Sequence, residues 1–118
     1  MDERLTPQER VRKQRDFINL YKAGSRYRGR YFNVVYGPNP SGPSRLAVVV
    51  GKKVGPAVTR NRVKRRLRAL FRRHKGLLPG PMDLIVVVRK EILDLGAAEL
   101  EAGYFQALES IKKKRASS

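Results

Sequence analysis

The chain has 118 residues, 41% of them hydrophobic, with no cysteine and a formal net charge of +17 from 27 cations and 10 anions. That length suits one domain with a modest core, burying about 65% of the surface the unfolded chain exposes. A disulfide framework and a thiolate metal site are excluded, and the longest apolar runs, Leu46–Val50 and Leu84–Val88, fall far short of the ~20 residues that span a bilayer.

Met1-Asp2-Glu3-Arg4 is polar and lacks the apolar stretch of a secretory signal, so the expectation is a soluble, cytoplasmic protein without membrane association. Residues 1–9 and 112–118 are expected to be flexible ends of the single domain 1–118. Thr6-Pro7-Gln8-Glu9 matches a capping box with proline at the first helical position. A helix should follow to about Lys22, stopped by Gly24. Continuity through Lys13-Gln14, or a break there into a turn and a second helix, is left open by the pattern. Phe17, Leu20 and Tyr21 share one helical face at i, i+3, i+4 spacing.

Arg26–Arg30 fits a short edge segment, and Tyr31–Tyr36 is rich in aromatic and β-branched residues, which predicts a strand. The Pro-rich stretch 37–43 reads as a long hairpin loop. Arg45–Lys53 is predicted as the next strand, with Val48, Val49 and Val50 buried on both faces. Gly55-Pro56 then opens a helix through His74, closed by Gly76. Val63, Leu67, Leu70, Phe71 and His74 fall on one face of it. Asn61, Lys64, Arg65, Arg68 and Arg72 lie on the far side, with Arg62, Arg66 and Arg73 on a flank. Met82–Val88 is a third strand, so strand, helix and strand form a βαβ-like unit with segments 46–53 and 82–88 parallel. A last helix over about Ala97–Lys114 puts Leu100, Tyr104, Leu108 and Ile111 together.

The charge is unevenly spread. Between Phe17 and Met82 stand sixteen cations and no Asp or Glu, and eight of the cations fall between positions 60 and 73. Such self-repulsion inside a fold points to a polyanionic partner. Guanidinium forks suit phosphate, which they can engage bidentately. Protein-borne hydrolysis is hard to stage here. His74 is the only histidine, no paired carboxylates or Ser/His/Asp set stands out, and Gly51-Lys52 lacks the spacing of a phosphate-binding P-loop. No metal site is expected either, and His74 is expected to pack near the helix end against the last carbonyls.

Gly51-Lys52-Lys53-Val54-Gly55, followed by Ala57-x-x-Arg60-Asn61-Arg62-Val63-Lys64-Arg65-x-Leu67-Arg68, resembles the signature A-x-x-R-N-x-[aliphatic]-K-R of the protein subunit of bacterial ribonuclease P. Arg15-Asp16-Phe17 and the stretch 83–90 support the likeness, which covers roughly Arg10 to Ile111. The resemblance implies an α+β fold, an α/β sandwich in αβββαβα order that is ribosomal-protein-S5-domain-2-like. It also implies a left-handed βαβ crossover, where the sequence alone would favour the common right-handed one.

Family members assist a catalytic RNA that removes the 5′ leader from precursor tRNA. The RNA does the chemistry, and the Mg²⁺ it needs is held by the RNA. The implied partners are therefore the ribonuclease P catalytic RNA and the precursor tRNA leader, in a 1:1 ribonucleoprotein with this chain as a monomer. On that basis Arg60, Asn61, Arg62, Lys64, Arg65, Arg68 and Arg72 are candidates for the catalytic RNA. Helical indexing puts Arg60 nearer the apolar edge than Arg65 or Arg68, so one of the motif's arginines could instead brace the helix against the sheet, and Asn61 could equally pair with protein backbone.

For the leader cleft the candidates are Phe17, Tyr21, Asn33, Val35, Lys52, Lys53, Arg89 and Lys90. Bases stack on aromatics with little sequence preference, which suits a leader that differs in every substrate. Strand alternation assigns Asn33 and Val35 to the cleft, and Phe32, Val34 and Tyr36 to the core. Composition alone also admits a ribosomal or other structural RNA-binding protein, or a DNA-binding protein reading the major groove with residues 57–74.

Overall fold

The computed structural model describes residues 5–11 and 13–116. In them the period-two stretches pair into one four-stranded sheet. Strand β1 (Ser25–Arg28), β2 (Phe32–Pro38), β3 (Arg45–Val49) and β4 (Met82–Val88) lie in the spatial order β1-β2-β4-β3. The β2 strand is antiparallel to both β1 and β4, while β3 runs parallel to β4, as the βαβ reading expects. Three helices complete the chain: α1 (Gln14–Ala23), α2 (Ala57–Arg73) and α3 (Ala97–Ala116).

Alternation gives the sheet two unlike faces. Phe32, Val34 and Tyr36 of β2, Leu46 of β3 and Met82, Leu84, Val86 and Val88 of β4 join one cluster with Val63, Leu67, Leu70 and Phe71 of α2 and Leu100, Tyr104, Leu108 and Ile111 of α3. The predicted inward sets of β2, α2 and α3 thus meet on one face, except for His74. Helix α2 packs beside β3 and α3 beside β1. Phe71 and Leu67 are fully buried at this seam. Burying a large apolar side chain stabilises by roughly 1.5–3 kcal/mol, so this face supplies most of the folding energy.

Several expected boundaries move, each for a local reason. The N-terminal segment breaks at the point the sequence left open. Pro7–Glu9 is a 3-10 turn carrying the capping box, and Val11 N then donates to Leu46 O along the free edge of β3. Residues 5–9 are therefore anchored, not a loose end. Leu5 is buried in the core cluster, and the Glu9 carboxylate takes Lys75 Nζ at 2.6 Å and the Thr6 backbone N–H at 2.9 Å. The other expected loose end, from 112 onward, stays helical to Ala116.

Strand β3 stops at Val49, because Lys52–Val54 coils into a 3-10 turn. Val49 is exposed, contrary to burial on both faces, since no helix covers that end of the sheet's second face. Gly55, at φ 155°, makes the reversal into α2. Helix α2 runs to Arg73 with His74 as its cap, one residue short of the expected end, and Gly76 sits in a further 3-10 turn, Lys75–Leu77, instead of closing the helix. His74 finds a different partner from the one expected. Its Nε2 lies 3.3 Å from Glu101 Oε2, and its ring meets Phe105 edge-on at 4.7 Å.

Candidate nucleic-acid interface

The second face of the sheet carries the alternate residues, and the register arranges them in three rows. Arg28, Asn33, Val87 and Val49 form one row, Arg26, Val35, Ile85 and Ala47 the next, and Gly37, Asp83 and Arg45 the third. Helix α1 crosses the third row. Its start is tied to β3, where Arg45 Nη1 donates to Asp16 Oδ2 at 3.2 Å. Leu20 in its middle approaches Gly37, and Gly24 at its end touches β2. A Cβ on Gly24 would fall 2.9 Å from Tyr36 O and 3.0 Å from a Val35 methyl, so only glycine allows that approach.

One guanidinium therefore fixes the helix on the sheet. Arg45 grips Asp83 with Nε and Nη2 at 2.9 and 2.6 Å, and reaches Asp16 with Nη1. Asn39 Nδ2 also donates to Asp83 Oδ1 at 3.0 Å and to Pro43 O at 2.8 Å, which ties the hairpin loop to the same node. The hydrogen bonds to Asp83, ahead of those to Asp16, hold Arg45 protonated well above the usual arginine range despite its burial. A carboxylate in an apolar strand needs such a partner. Sequence reading missed Arg45, although the lone Asp83 at the head of an apolar run was a signal that a cation had to come to it.

Beyond α1 the face is open. Phe17 and Tyr21 stack along the helix with centroids 6.0 Å apart, and Tyr21 is 41% exposed. Arg26 covers the Tyr21 ring at 4.8 Å and donates from Nη2 to Tyr21 O at 2.6 Å. The row of Arg28, Asn33, Val87 and Val49 lies uncovered, and the Asn33 Oδ1 in it is buried without a hydrogen-bond partner. Val35 lies on this face, as its alternation requires, but at 2% exposure it is floor beneath the end of α1.

Lys52 and Lys53 follow β3, and Arg89 and Lys90 follow β4, so the four cations gather where these parallel strands end. All four are exposed, with Arg89 leaning on Glu91 at 3.7 Å and donating from Nη1 to Gly29 O at 3.5 Å. The arrangement is a shallow trough with an aromatic helix on one side, an apolar floor and a cationic rim at the strand ends.

Helix α2 presents a different surface on the opposite side of the sheet. Its seventeen residues include no acid. Asn61, Arg62 and Arg65 are exposed and Lys64 and Arg68 half-exposed, and among the described residues none of the five has a carboxylate partner. Two of the seven predicted residues have structural ties. Arg60 Nε donates to Gly55 O at 3.1 Å, bracing the turn before the helix, and Arg72 Nη1 stands 3.9 Å from Glu9 Oε1. Burial, and then the nearby Arg10 charge, push the Arg68 guanidinium below its usual range.

Among the described residues no group of three His, Cys, Asp or Glu side chains could hold a metal ion, and no helix is long and apolar enough to cross a membrane. The arrangement offers positive charge and stacking surface.

Residues 5–112 match the family model described as Ribonuclease P. The ribonuclease P protein component of Thermotoga maritima is 41% identical over 92 residues, which cover 78% of this chain and 79% of the relative. That of Streptococcus pneumoniae is 37% identical over 103 residues, covering 87% and 84%. Among solved structures, the ribonuclease P protein of Staphylococcus aureus superposes with a TM-score of 0.80 at 32% identity, covering 88% of this chain and 95% of that one. The Thermotoga maritima structure gives 0.77 at 34% identity, covering 89% and 96%.

Proposed function

The chain belongs to the ribonuclease P protein family, and from that premise we propose that it is the non-catalytic subunit that binds the catalytic RNA and holds the single-stranded 5′ leader of precursor tRNA. The observation that carries this reading is the acid-free surface of α2, where Asn61, Arg62, Lys64, Arg65 and Arg68 have no carboxylate partner among the described residues. Arg60 and Arg72 adjoin it and add charge while keeping their structural ties. Guanidiniums carried on a helix can meet phosphates with bidentate geometry.

The trough supports the second half of the proposal. Phe17 and Tyr21 give bases a stacking surface that ignores sequence, Asn33 lines the open sheet while Val35 supports it from beneath α1, and Lys52, Lys53, Arg89 and Lys90 meet the leader backbone. Cleavage itself is assigned to the RNA with its Mg²⁺, and the protein lowers the ionic cost of bringing two polyanions together. About six phosphate contacts would give a salt slope near −5, by the duplex rule of −0.9 per contact. The complex is proposed to hold one copy of this chain and to work in the cytoplasm.

The test is cleavage of precursor tRNA by a bacterial ribonuclease P RNA at low Mg²⁺, with and without the protein. Strong stimulation that depends on the leader is expected. RNA binding without stimulation would instead favour a structural RNA-binding role, and displacement of structured RNA by duplex DNA would favour the DNA-binding reading.

A further inference from the structure

The first residues of the domain carry charge that the RNA-binding reading above does not use. Arg10 pairs through a β-bridge with Leu46 at the free edge of β3, and Lys13 stands one residue before α1. Paired residues in a parallel bridge point to the same side, and Leu46 faces the core cluster. Arg10 therefore turns toward α2, where its charge acts on Arg68. Around this edge, Pro7, Gln8, Arg10, Lys13, Asp16 and Arg45 line an open groove of about 540 Å³.

The nearby acids are already committed. Glu9, next to Arg10, turns its carboxylate to Lys75, Arg72 and the Thr6 amide. Asp16 and Asp83 share Arg45. Arg10, Lys13 and Arg68 are left with no counter-charge among the described residues, and burial, followed by the nearby Arg10 charge, disfavours the charged form of Arg68. Like charges kept together by a backbone bridge are a standing cost of the free protein, which a bound anion removes.

We propose that Arg10, Lys13 and Arg68 form a phosphodiester-binding track around the β3 edge, joining the basic surface of α2 to the start of α1. The N-terminal segment is thereby part of the RNA interface as well as a strap on the core. Because the track bends around the sheet edge, it suits one continuous strand passing from the α2 side toward the trough. The phosphates can come from the catalytic RNA or from the leader, and the chemistry recognised is the same.

The inference rests on the proposed RNA-binding role, and the test separates the two. The full chain and its Arg10→Gln/Lys13→Gln variant are titrated with a ribonuclease P RNA transcript across a salt series, and holoenzymes reconstituted with each are titrated with precursor tRNA. Each lost phosphate contact flattens the logarithmic salt slope by about 0.7–0.9, so the variant should be shallower by about 1.5 in one arm. A change in the transcript arm assigns the phosphates to the catalytic RNA, and a change confined to the second arm assigns them to the leader. Arg10→Lys/Lys13→Arg should keep the native slope, which a loss through misfolding or lost packing would not predict. An unchanged slope in both arms overturns the track while leaving the proposed function in place. Salt-insensitive binding by the unaltered chain overturns both.

Discussion

The two faces of the sheet are cut from the same strands yet are put to opposite uses. On the α2–α3 face every inward residue of β4 is buried and aliphatic or thioether, and Phe71 at the seam is fully enclosed. On the α1 face the covering helix has no fully buried residue, Ile18 and Tyr21 are each 41% exposed, and one row of the sheet is open. A small domain can leave half of one face open only because the other face is packed densely enough to hold the fold. The difference separates positions where substitution should cost stability from positions where it should cost recognition.

The largest effect that tests this division is Phe71→Ala, expected to destabilise by about 3–5 kcal/mol, since the site is fully enclosed and leaves a cavity. Denaturant unfolding would measure it, and a loss below ~1 kcal/mol would mean that the α2 seam is not the main support. Phe17→Ala and Tyr21→Ala should behave the other way round. Their unfolding midpoints should move little, while the preference for leader-bearing over mature tRNA falls by about 1–3 kcal/mol per stacked base. Equal weakening toward both substrates would remove these rings from the trough's function.

Glu9→Gln probes the strap, with an expected loss of roughly 1–3 kcal/mol at pH 7. Burial pushes the Glu9 carboxyl up, but the Lys75 hydrogen bond and those to Thr6 outweigh it and hold the group at about 2, against an ordinary 4.5. A lowered folded-state pKa means that the contribution is complete above about pH 4.5 and disappears as pH falls toward 2. The upper figure is discounted because Lys75 is 41% exposed and partly screened. The gap between wild type and variant in acid titrations should therefore close over that window, and a gap constant down to pH 2 would contradict the assignment.

The smallest effect concerns Tyr104, whose hydroxyl is buried without a partner and whose ionisation is pushed up by that burial. Tyr104→Phe removes an unsatisfied polar group, so thermal unfolding should show no loss, or a gain of up to about 1 kcal/mol. A clear destabilisation would reveal a hydrogen bond in solution.

Much of this architecture was readable from local signals. Strand β4 falls on Met82–Val88 as expected, because Pro79-Gly80-Pro81 marks its start and the apolar run Leu84–Val88 fills most of it. The buried stripes of α2 and α3 follow from 3.6-residue periodicity in long segments. What was left open or escaped notice depends on contacts distant in sequence. The break after Glu9 is decided by pairing with Leu46, and the seating of α1 by an arginine 29 residues from Asp16 and 38 from Asp83. No local pattern encodes such pairings. His74 was expected to serve the end of its own helix, and the ring that receives it comes from α3. The basic surface of α2 was legible from composition and a bracing arginine from helical indexing, whereas the partners, Gly55 O for Arg60 and Glu9 for Arg72, needed coordinates.

Strand β1 has a partner on one side only, and no strand of the described residues pairs with its outer edge. A bare edge is an invitation to a second copy. Pairing two β1 strands antiparallel would bring Arg26 and Arg28 of one copy against their counterparts in the other, with no carboxylate on the strand to separate them. The charge that favours a polyanion thus also works against self-templated aggregation, and it keeps that edge solitary until a polyanion arrives to neutralise it.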